Sequence, residues 1–275
     1  MTNCNVLTLP TGYFLGDTLR AGQVSGFRLT ETFYPIGMSQ PDHVHESSLY
    51  CFVLSGTYLE RVGGRERTRD PISLTFYPAG SSHAETYRMP GRHLLVELNS
   101  EWIDCARDGG VQLDDPTELQ IGSTTWLLMK VYREFLQLES DSQMALETLM
   151  VDLLDQTCRP ARKSDETRAP RWLRDATDLL HSRFAENLGL REVAATVNIH
   201  AVHLARVFRK FNNCTIGDYV RGLRVKHAAR RISGSTDSLA EIALEAGFAD
   251  QSHLSRTFKQ HTGMWPGQFR TLLRR

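Results

Sequence analysis

The sequence has no apolar run that approaches the roughly 20 residues needed to cross a bilayer, and no basic residue precedes Arg20. A secretory signal begins with basic residues ahead of its apolar stretch, so this pattern does not predict one. The five cysteines are scattered, odd in number and never in a C-x-x-C pair, which argues against a disulfide framework or a zinc ribbon. We therefore expect a cytoplasmic protein with reduced thiols and no membrane partner.

The chain also lacks net charge, with 32 basic and 32 acidic side chains in 275 residues, but the two signs are unevenly distributed. Residues 1–158 contain 11 Lys and Arg against 21 Asp and Glu, whereas residues 171–275 contain 17 against 9. Lys and Arg gain affinity for nucleic acid because they displace counterions from phosphate. The distribution is typical of a polyanion-binding module joined to a non-binding one, although a solvated basic face would give the same composition.

The first hundred residues are divided into short apolar runs by turn residues. Residues 50–54, 58–62 and 73–77 are rich in aromatic and β-branched side chains, and each run ends at Gly or Pro within a few residues. Runs of this length, punctuated every 8–12 residues, predict an antiparallel sandwich or small barrel. We expect a β-barrel over residues 1–110.

The spacing of apolar residues then changes to threes and fours, which predicts two amphipathic helices joined by the polar residues 139–143. We assign residues 111–158 to this helical hairpin, which either covers the sheet or forms a homodimer. Residues 159–169 have no apolar periodicity and are predicted to be a linker. The fold class is thus α+β and multidomain, with an all-α domain over residues 170–275.

An internal repeat of about fifty residues occupies this last domain. At an offset of 49, residues 190–199 match residues 239–248, and at an offset of 50, residues 203–209 match residues 253–259. Each copy has a short apolar helix, then Asn198 or Gly247, which tolerate the left-handed conformation that closes a helix, and then a second helix. This is the helix-turn-helix arrangement, in which the second helix enters the major groove of DNA.

A third helix, predicted over residues 216–232, joins the two copies, and seventeen helical residues span roughly 25 Å. Such a connector could place the two recognition helices about one DNA turn, roughly 34 Å, apart. At the second copy, Asp250 or Ser252 can cap the recognition helix, whereas His200 at the equivalent place is a weaker cap. One chain could therefore read two adjacent segments of major groove.

Residues 170–275 resemble the DNA-binding domain of the AraC/XylS family of bacterial transcription regulators. The most specific stretch is Gly247-Phe-Ala-Asp-Gln-Ser-His-Leu-Ser-Arg-Thr-Phe-Lys-Gln-His-Thr-Gly-Met-Trp-Pro-Gly-Gln-Phe-Arg270. Trp265 departs from the family pattern, which usually has Ser or Thr before the proline to cap the last helix. The resemblance implies double-stranded DNA and RNA polymerase as partners, a regulator rather than an enzyme, and a sensor role for the barrel over residues 1–110.

The resemblance also implies which side chains read bases. They are exposed positions of the two recognition helices, namely Ala201, Val202, Ala205, Arg206, Gln251, Ser252, Ser255 and Arg256. Arg206 and Arg256 can each make a bidentate contact with guanine, and Gln251 can pair with adenine. Arg209, Lys210 and Lys259 are expected to contact phosphate, which positions the protein without specifying sequence.

Three histidines in the amino-terminal half form a second candidate site. His43-Val-His45 and the later Pro78-Ala-Gly-Ser-Ser-His83 resemble the two motifs of cupin barrels. Two histidines at i and i+2 on one strand point the same way, and His83 from a neighbouring strand could complete a site for zinc or iron. The glutamate usual in cupins is replaced by Leu49 or Tyr50, and Glu46 would point to the opposite face.

Three interpretations of His43, His45 and His83 remain open at this point. They bind a divalent metal, they form hydrogen bonds or charge contacts in a metal-free pocket for a small-molecule effector, or they are structural. A fourth possibility comes from another functional class, a cupin dioxygenase-like metalloenzyme fused to a DNA-binding tail. No residue in the sequence stands out as a general base or a cosubstrate clamp for such an enzyme, and we expect no catalytic residue.

Overall fold

The computed structural model describes residues 6–108, 114–119, 123–137, 142–158, 169–212 and 214–273. The chain divides into two compact units, one formed by Met1–Pro160 with Thr271–Arg275 and the other by Ala161–Arg270. The predicted linker lies outside the described residues except for Ala169. Among the helices of the described residues, none is long and apolar enough to cross a membrane.

The first unit contains two β-sheets. One has the strand order β1-β4-β9-β6-β7 and the other the order β11-β8-β5-β10-β3-β2. The strands are β1 Leu7–Leu9, β2 Asp17–Val24, β3 Phe27–Tyr34, β4 Ser39–His45, β5 Ser48–Ser55, β6 Tyr58–Val62, β7 Arg65–Arg69, β8 Leu74–Tyr77, β9 His83–Tyr87, β10 Gly91–Leu98 and β11 Thr117–Leu119. The three apolar runs singled out in the sequence are β5, β6 and β8.

The described strands do not form the closed antiparallel barrel that the sequence predicts. Their pairing gives two separate sheets, and β1 pairs with β4 in parallel, with Leu9 opposite His45. The prediction failed on closure because turn residues indicate which neighbouring strands form hairpins, whereas closure depends on pairing between strands that are distant in the sequence.

Side chains from both sheets meet in a shared interior. Tyr34 and Val53 from the six-stranded sheet pack with Tyr58 and Tyr87 from the five-stranded sheet. Burial of four such side chains is a large apolar contribution to stability. Polar groups beside this apolar interior are costly unless they have hydrogen-bond or ionic partners.

One buried ion pair supplies such partners and links the two sheets. Arg69 Nε donates to Glu60 Oε2 at 2.7 Å, and both side chains are almost fully buried. The hydroxyl of Tyr77, on the other sheet, donates to Glu60 Oε1, and Arg69 also reaches Glu118 of β11 at 2.7 Å. Removing Arg69 would leave Glu60 buried without a counter-ion, whereas removing Glu60 would leave Arg69 with Glu118 as its remaining ion-pair partner.

Three helices complete the described part of the first unit: α1 Ser100–Asp108, α2 Ser123–Leu136 and α3 Ser142–Cys158. The last two are the predicted hairpin, and α2 buries Leu128, Met129 and Tyr132 completely. Strand β11, within the range assigned to the hairpin, was not predicted, and it pairs with β8 of the six-stranded sheet. A three-residue strand is too short to show a periodicity.

The described part of the second unit is all-helical. Its elements are α4 Arg171–Ser182, α5 Leu190–Thr196, α6 Ala201–Asn212, α7 Ile216–Gly234, α8 Leu239–Glu245, α9 Gln251–Thr262 and α10 Pro266–Leu273, of which the last three residues are grouped with the first unit. The two predicted helix pairs are α5 with α6 and α8 with α9, and α7 is the connector between them. Leu204, Phe208, Leu254 and Phe258 are completely buried, as their spacing predicts.

The turns between paired helices have the predicted backbone conformation. Asn198 and Gly247 lie in the left-handed region, with φ of 54° and 81°, which confirms the sequence interpretation. Gly247 is under a second constraint, because a Cβ there would lie 2.3 Å from the carbonyl oxygen of Ala185 and 2.7 Å from its Cα. Only glycine fits this position without moving the backbone of Ala185.

The caps also differ between the two pairs. Asp250 caps α9, since its Oδ1 accepts the backbone N–H of His253 at 2.7 Å, as predicted. The backbone N–H of Val202 lies 3.4 Å from His200 Nδ1 at the start of α6. The longer contact agrees with the expectation that His200 is the weaker cap.

Asn198→Gly and Gly247→Asn test the close contact at Ala185, because both residue types reach the left-handed region. Asn198→Gly should lower the free energy of unfolding by less than about 1 kcal/mol. Gly247→Asn should lower it by about 1–3 kcal/mol, because the new Cβ must displace backbone atoms. Chemical denaturation followed by circular dichroism measures both, and equal losses in the two variants would contradict the steric account.

Candidate DNA-binding surface and histidine cluster

The predicted base-reading residues lie on the accessible faces of α6 and α9. On α6, Val202 is 69% exposed and Arg206 is also exposed, whereas Ala201 and Ala205 are half-buried. On α9, Gln251, Ser252 and Arg256 are exposed and Ser255 is half-buried. The two helices therefore present side chains of the predicted kinds to solvent, with more hydrogen-bonding groups on α9.

The predicted phosphate-contacting residues are Arg209 and Lys210 near the end of α6, and Lys259 near the end of α9, and all three are exposed. The ammonium group of Lys259 lies 4.2 Å from the centre of the Trp265 ring, a cation–π contact that holds the charge at the surface. The backbone N–H of Trp265 donates to Gln268 Oε1 at 3.1 Å. Gln268 thus satisfies an amide at the start of α10, where the family usually has a capping hydroxyl.

Sequence reasoning missed a groove that runs between α6 and α7. Its volume is about 730 Å³, and its walls include Arg206 and Arg209 from α6 and Arg221 and Arg224 from α7. The guanidinium of Arg224 donates to the carbonyl oxygens of Phe184 and Glu186 at 2.8 Å each. The arginine-rich composition of α7 was visible in the sequence, but its position beside α6 depends on tertiary packing.

The structure brings His43, His45 and His83 together inside the first unit. His43 of β4 is the cross-strand partner of His83 of β9, and a register shift between Gln40 and His43 allows both side chains to face the interior. One potential ligand atom from each histidine lies within 4.8 Å of the others, and all three side chains are buried. The predicted cluster is thus present in the fold.

Two of these imidazoles are oriented by backbone carbonyls. His43 Nδ1 is 2.9 Å from Pro41 O, and His83 Nδ1 is 3.2 Å from Ser81 O. Because a carbonyl oxygen can only accept, each Nδ1 must carry the hydrogen and each Nε2 keeps a lone pair. Histidines that bind metal are commonly oriented in this way by a second partner.

The same burial keeps the three rings neutral. It lowers the pKa of His43, lowers the pKa of His45 to about 4, and lowers the pKa of His83 to about 3. The neighbouring imidazoles lower the last two pKa values further. Neutral imidazole is the form that binds a metal ion, and a buried charge would be costly.

The cavity beside the histidines is small, with a volume of about 20 Å³. One water needs roughly 10–15 Å³ in the same measure, and sites for organic ligands are usually hundreds of Å³. Its lining includes Gln40, Cys51, Glu85 and His93. In this conformation the cavity has room for an ion or a water but not for an organic effector.

Glu85 is a cavity carboxyl that sequence reasoning missed. Leu49 and Tyr50 are buried and carry no carboxylate, and Glu46, which was predicted to point away from the histidines, is exposed. Burial raises the pKa of Glu85 to about 8; a hydrogen bond from Tyr87 opposes this shift, and the charge of Glu60 adds to it by a smaller amount. The signal was available in the sequence, because His83 and Glu85 are two residues apart on one strand.

Comparisons with known proteins locate a recognised family in the second unit. A helix-turn-helix domain family matches residues 193–271. The probable transcription factor PqrA of Proteus vulgaris is 34% identical over 98 residues, which cover 35% of this chain and 80% of that protein. The Msm operon regulatory protein of Streptococcus mutans is 28% identical over 99 residues, and this chain spans only 36% of its length.

Among solved structures, the C-terminal domain of the response regulator AraT from Geobacillus stearothermophilus aligns with a TM-score of 0.37. It is 25% identical and covers 38% of this chain and 88% of that one.

His93→Gln tests the cost of keeping a buried imidazole neutral. Burial lowers the folded-state pKa of His93 to about 3, whereas the unfolded chain titrates near 6.5. The unfolded state therefore binds the proton first, and the stability that His93 contributes is lost as the pH falls below about 6.5. Between pH 7.5 and 5.5 this one group should remove about 1.4 kcal/mol of unfolding free energy.

Urea denaturation at these two pH values measures the effect. The pH dependence should be smaller in His93→Gln than in the wild type by about that amount, and His200→Gln, at an exposed position, serves as the control. An unchanged pH dependence in His93→Gln would show that this imidazole is not held neutral by burial.

Proposed function

The chain belongs to the AraC family of helix-turn-helix transcription regulators, and from this we propose that it binds specific DNA sequences and regulates transcription under the control of its amino-terminal unit. The observation that carries the proposal is the repeated helix pair. Arg206 and Arg256 occupy equivalent exposed positions on α6 and α9, within a segment that carries an excess of basic residues. This is the composition expected of a two-part DNA reader.

The two readers have unequal chemistry. On α9, Gln251 and Arg256 can each make bidentate hydrogen bonds to a base edge, to adenine and guanine respectively. On α6, Arg206 has this capacity, whereas Val202 and Ala205 offer only apolar contact with a thymine methyl group. Arg209, Lys210 and Lys259 act on phosphate and set the position of the helices. The α9 reader is therefore the more discriminating one.

The amino-terminal unit acts as a cupin-like sensor that holds a divalent ion, zinc or iron, at His43, His45 and His83. The neutral imidazoles and the free Nε2 lone pairs of His43 and His83 suit borderline metals of this kind. The volume of about 20 Å³ favours an ion over a metal-free organic effector. It also leaves no room for an organic substrate beside the histidines, which argues against the dioxygenase-like alternative.

Regulation then follows from linkage between the two units. An effector changes DNA occupancy only if it binds two states of the regulator with different affinity. The helical hairpin is the proposed homodimer contact, because Met144 and Val151 of α3 are exposed apolar residues seven positions apart, on the same face of the helix. Contact with RNA polymerase is the proposed output of DNA binding.

Arg256→Ala and Lys259→Ala separate base reading from phosphate contact. Arg256→Ala should cost roughly 1–3 kcal/mol of binding to the cognate site and relax specificity at one base pair. Lys259→Ala should weaken binding to cognate and unrelated DNA alike. It should also reduce the slope of the logarithm of the binding constant against the logarithm of salt concentration by about one. Fluorescence anisotropy at several salt concentrations measures both quantities. A sequence-selective loss in Lys259→Ala would contradict this assignment.

The metal proposal predicts about one bound ion per chain. Metal analysis after zinc or ferrous loading and dialysis tests this, and His83→Gln should weaken binding at least about tenfold. His93→Gln is the matched control, since His93 lines the same cavity but lies outside the cluster of three. Absence of stoichiometric metal in the wild type would remove the metal sensor and leave the DNA-binding proposal intact.

A further inference from the structure

A divalent ion among three neutral histidines would bring an uncompensated charge into the protein interior. His43, His45 and His83 contribute lone pairs but no negative charge, and all three are buried. An isolated charge of two units is costly in a low-dielectric interior, and buried charges are normally paired. A metal site at this position therefore requires an anionic group close by.

Glu85 is the acidic residue that lines the same cavity. It follows His83 by two residues on β9, so both side chains point to the interior face, and it is 6% exposed. Its cross-strand neighbour Glu60 is already compensated by Arg69. Among the residues that the structure describes, Glu85 has no Lys or Arg within ion-pair distance.

The immediate neighbours of Glu85 leave its carboxylate able to bind a metal ion. Its Oε2 accepts the hydroxyl of Tyr87 at 2.6 Å, and a carboxylate has a second oxygen with lone pairs of its own. Gln40, the cross-strand partner of Glu85 on β4, is buried and also lines the cavity. Its Nε2 has no hydrogen-bond partner among the described residues, so it can donate to a carboxylate that turns toward the histidines.

We propose that Glu85 is the fourth protein ligand of the metal centre, alongside His43, His45 and His83. The inference rests on the proposed metal site and adds the residue whose negative charge offsets part of the charge of the ion. The carboxylate comes from the strand that carries the third histidine, whereas the cupin pattern would take it from the positions of Leu49 or Tyr50. Three imidazoles and one carboxylate form a mixed nitrogen and oxygen set that suits zinc, ferrous iron or cobalt.

Cobalt(II) is the probe for the test, because its visible absorption reports the number and type of ligands. Wild type, Glu85→Gln and Glu97→Gln are each titrated with cobalt, and affinity is measured in parallel by calorimetry with zinc. Glu97 is the matched control, a buried carboxyl on β10 that accepts the backbone N–H of Gly12. Thermal unfolding of each metal-free variant establishes that it is folded.

We expect Glu85→Gln to weaken binding of both ions at least about tenfold and to shift the cobalt spectrum, while Glu97→Gln matches the wild type in both. Glu85→Asp, a second variant that keeps the charge on a shorter side chain, should give an intermediate affinity and a spectrum of its own.

Two results would overturn the assignment. If Glu85→Gln binds cobalt with wild-type affinity and spectrum, the three histidines form the site without Glu85, and the proposed metal sensor stands. If the wild type binds no cobalt or zinc, both the ligand assignment and the metal sensor fail.

Discussion

The orientation of α8 and α9 depends on one close backbone contact, between Gly247 and Ala185. The left-handed turn at Gly247 redirects the chain, and the missing Cβ allows the turn to approach the segment that follows α4. Asp250 then starts α9 with a capping hydrogen bond. Because Leu254 and Phe258 fill the core behind it, the opposite face of α9, with Gln251 and Arg256, is left in solvent.

The two units differ in how their charged and polar groups are solvated. The second unit keeps the basic residues of its recognition helices, Arg206, Arg209, Lys210, Arg256 and Lys259, exposed, so they stay hydrated until DNA phosphates replace water and counterions. The first unit encloses histidines, carboxyls and tyrosines between two sheets, where each polar atom needs a partner. The Arg69–Glu60–Tyr77 network meets that need within the protein. His45 Nδ1 and Gln40 Nε2 have no hydrogen-bond partner among the described residues, and both residues line the cavity where we place an ion.

A feature of the fold or of the candidate sites could be predicted where residues close together in the sequence determine it. The helix pairs and the left-handed residues Asn198 and Gly247 follow from patterns along one segment, and they were predicted. The histidine cluster joins two strands that are distant in the sequence, and it was predicted from the resemblance to the two cupin motifs. Barrel closure, strand β11 and the groove between α6 and α7 depend on contacts between distant segments, for which one sequence carries no direct signal. Glu85 is intermediate, since its alternation with His83 was visible but its lack of a counter-ion required the structure.

The central claim is that two unequal helix pairs read specific DNA. The most direct measurement is genome-wide occupancy of the tagged protein in its host. We predict discrete peaks that share a motif with two parts centred about one helical turn apart, roughly 10 base pairs, with the α9 part the better defined. Diffuse, sequence-independent occupancy would contradict the account.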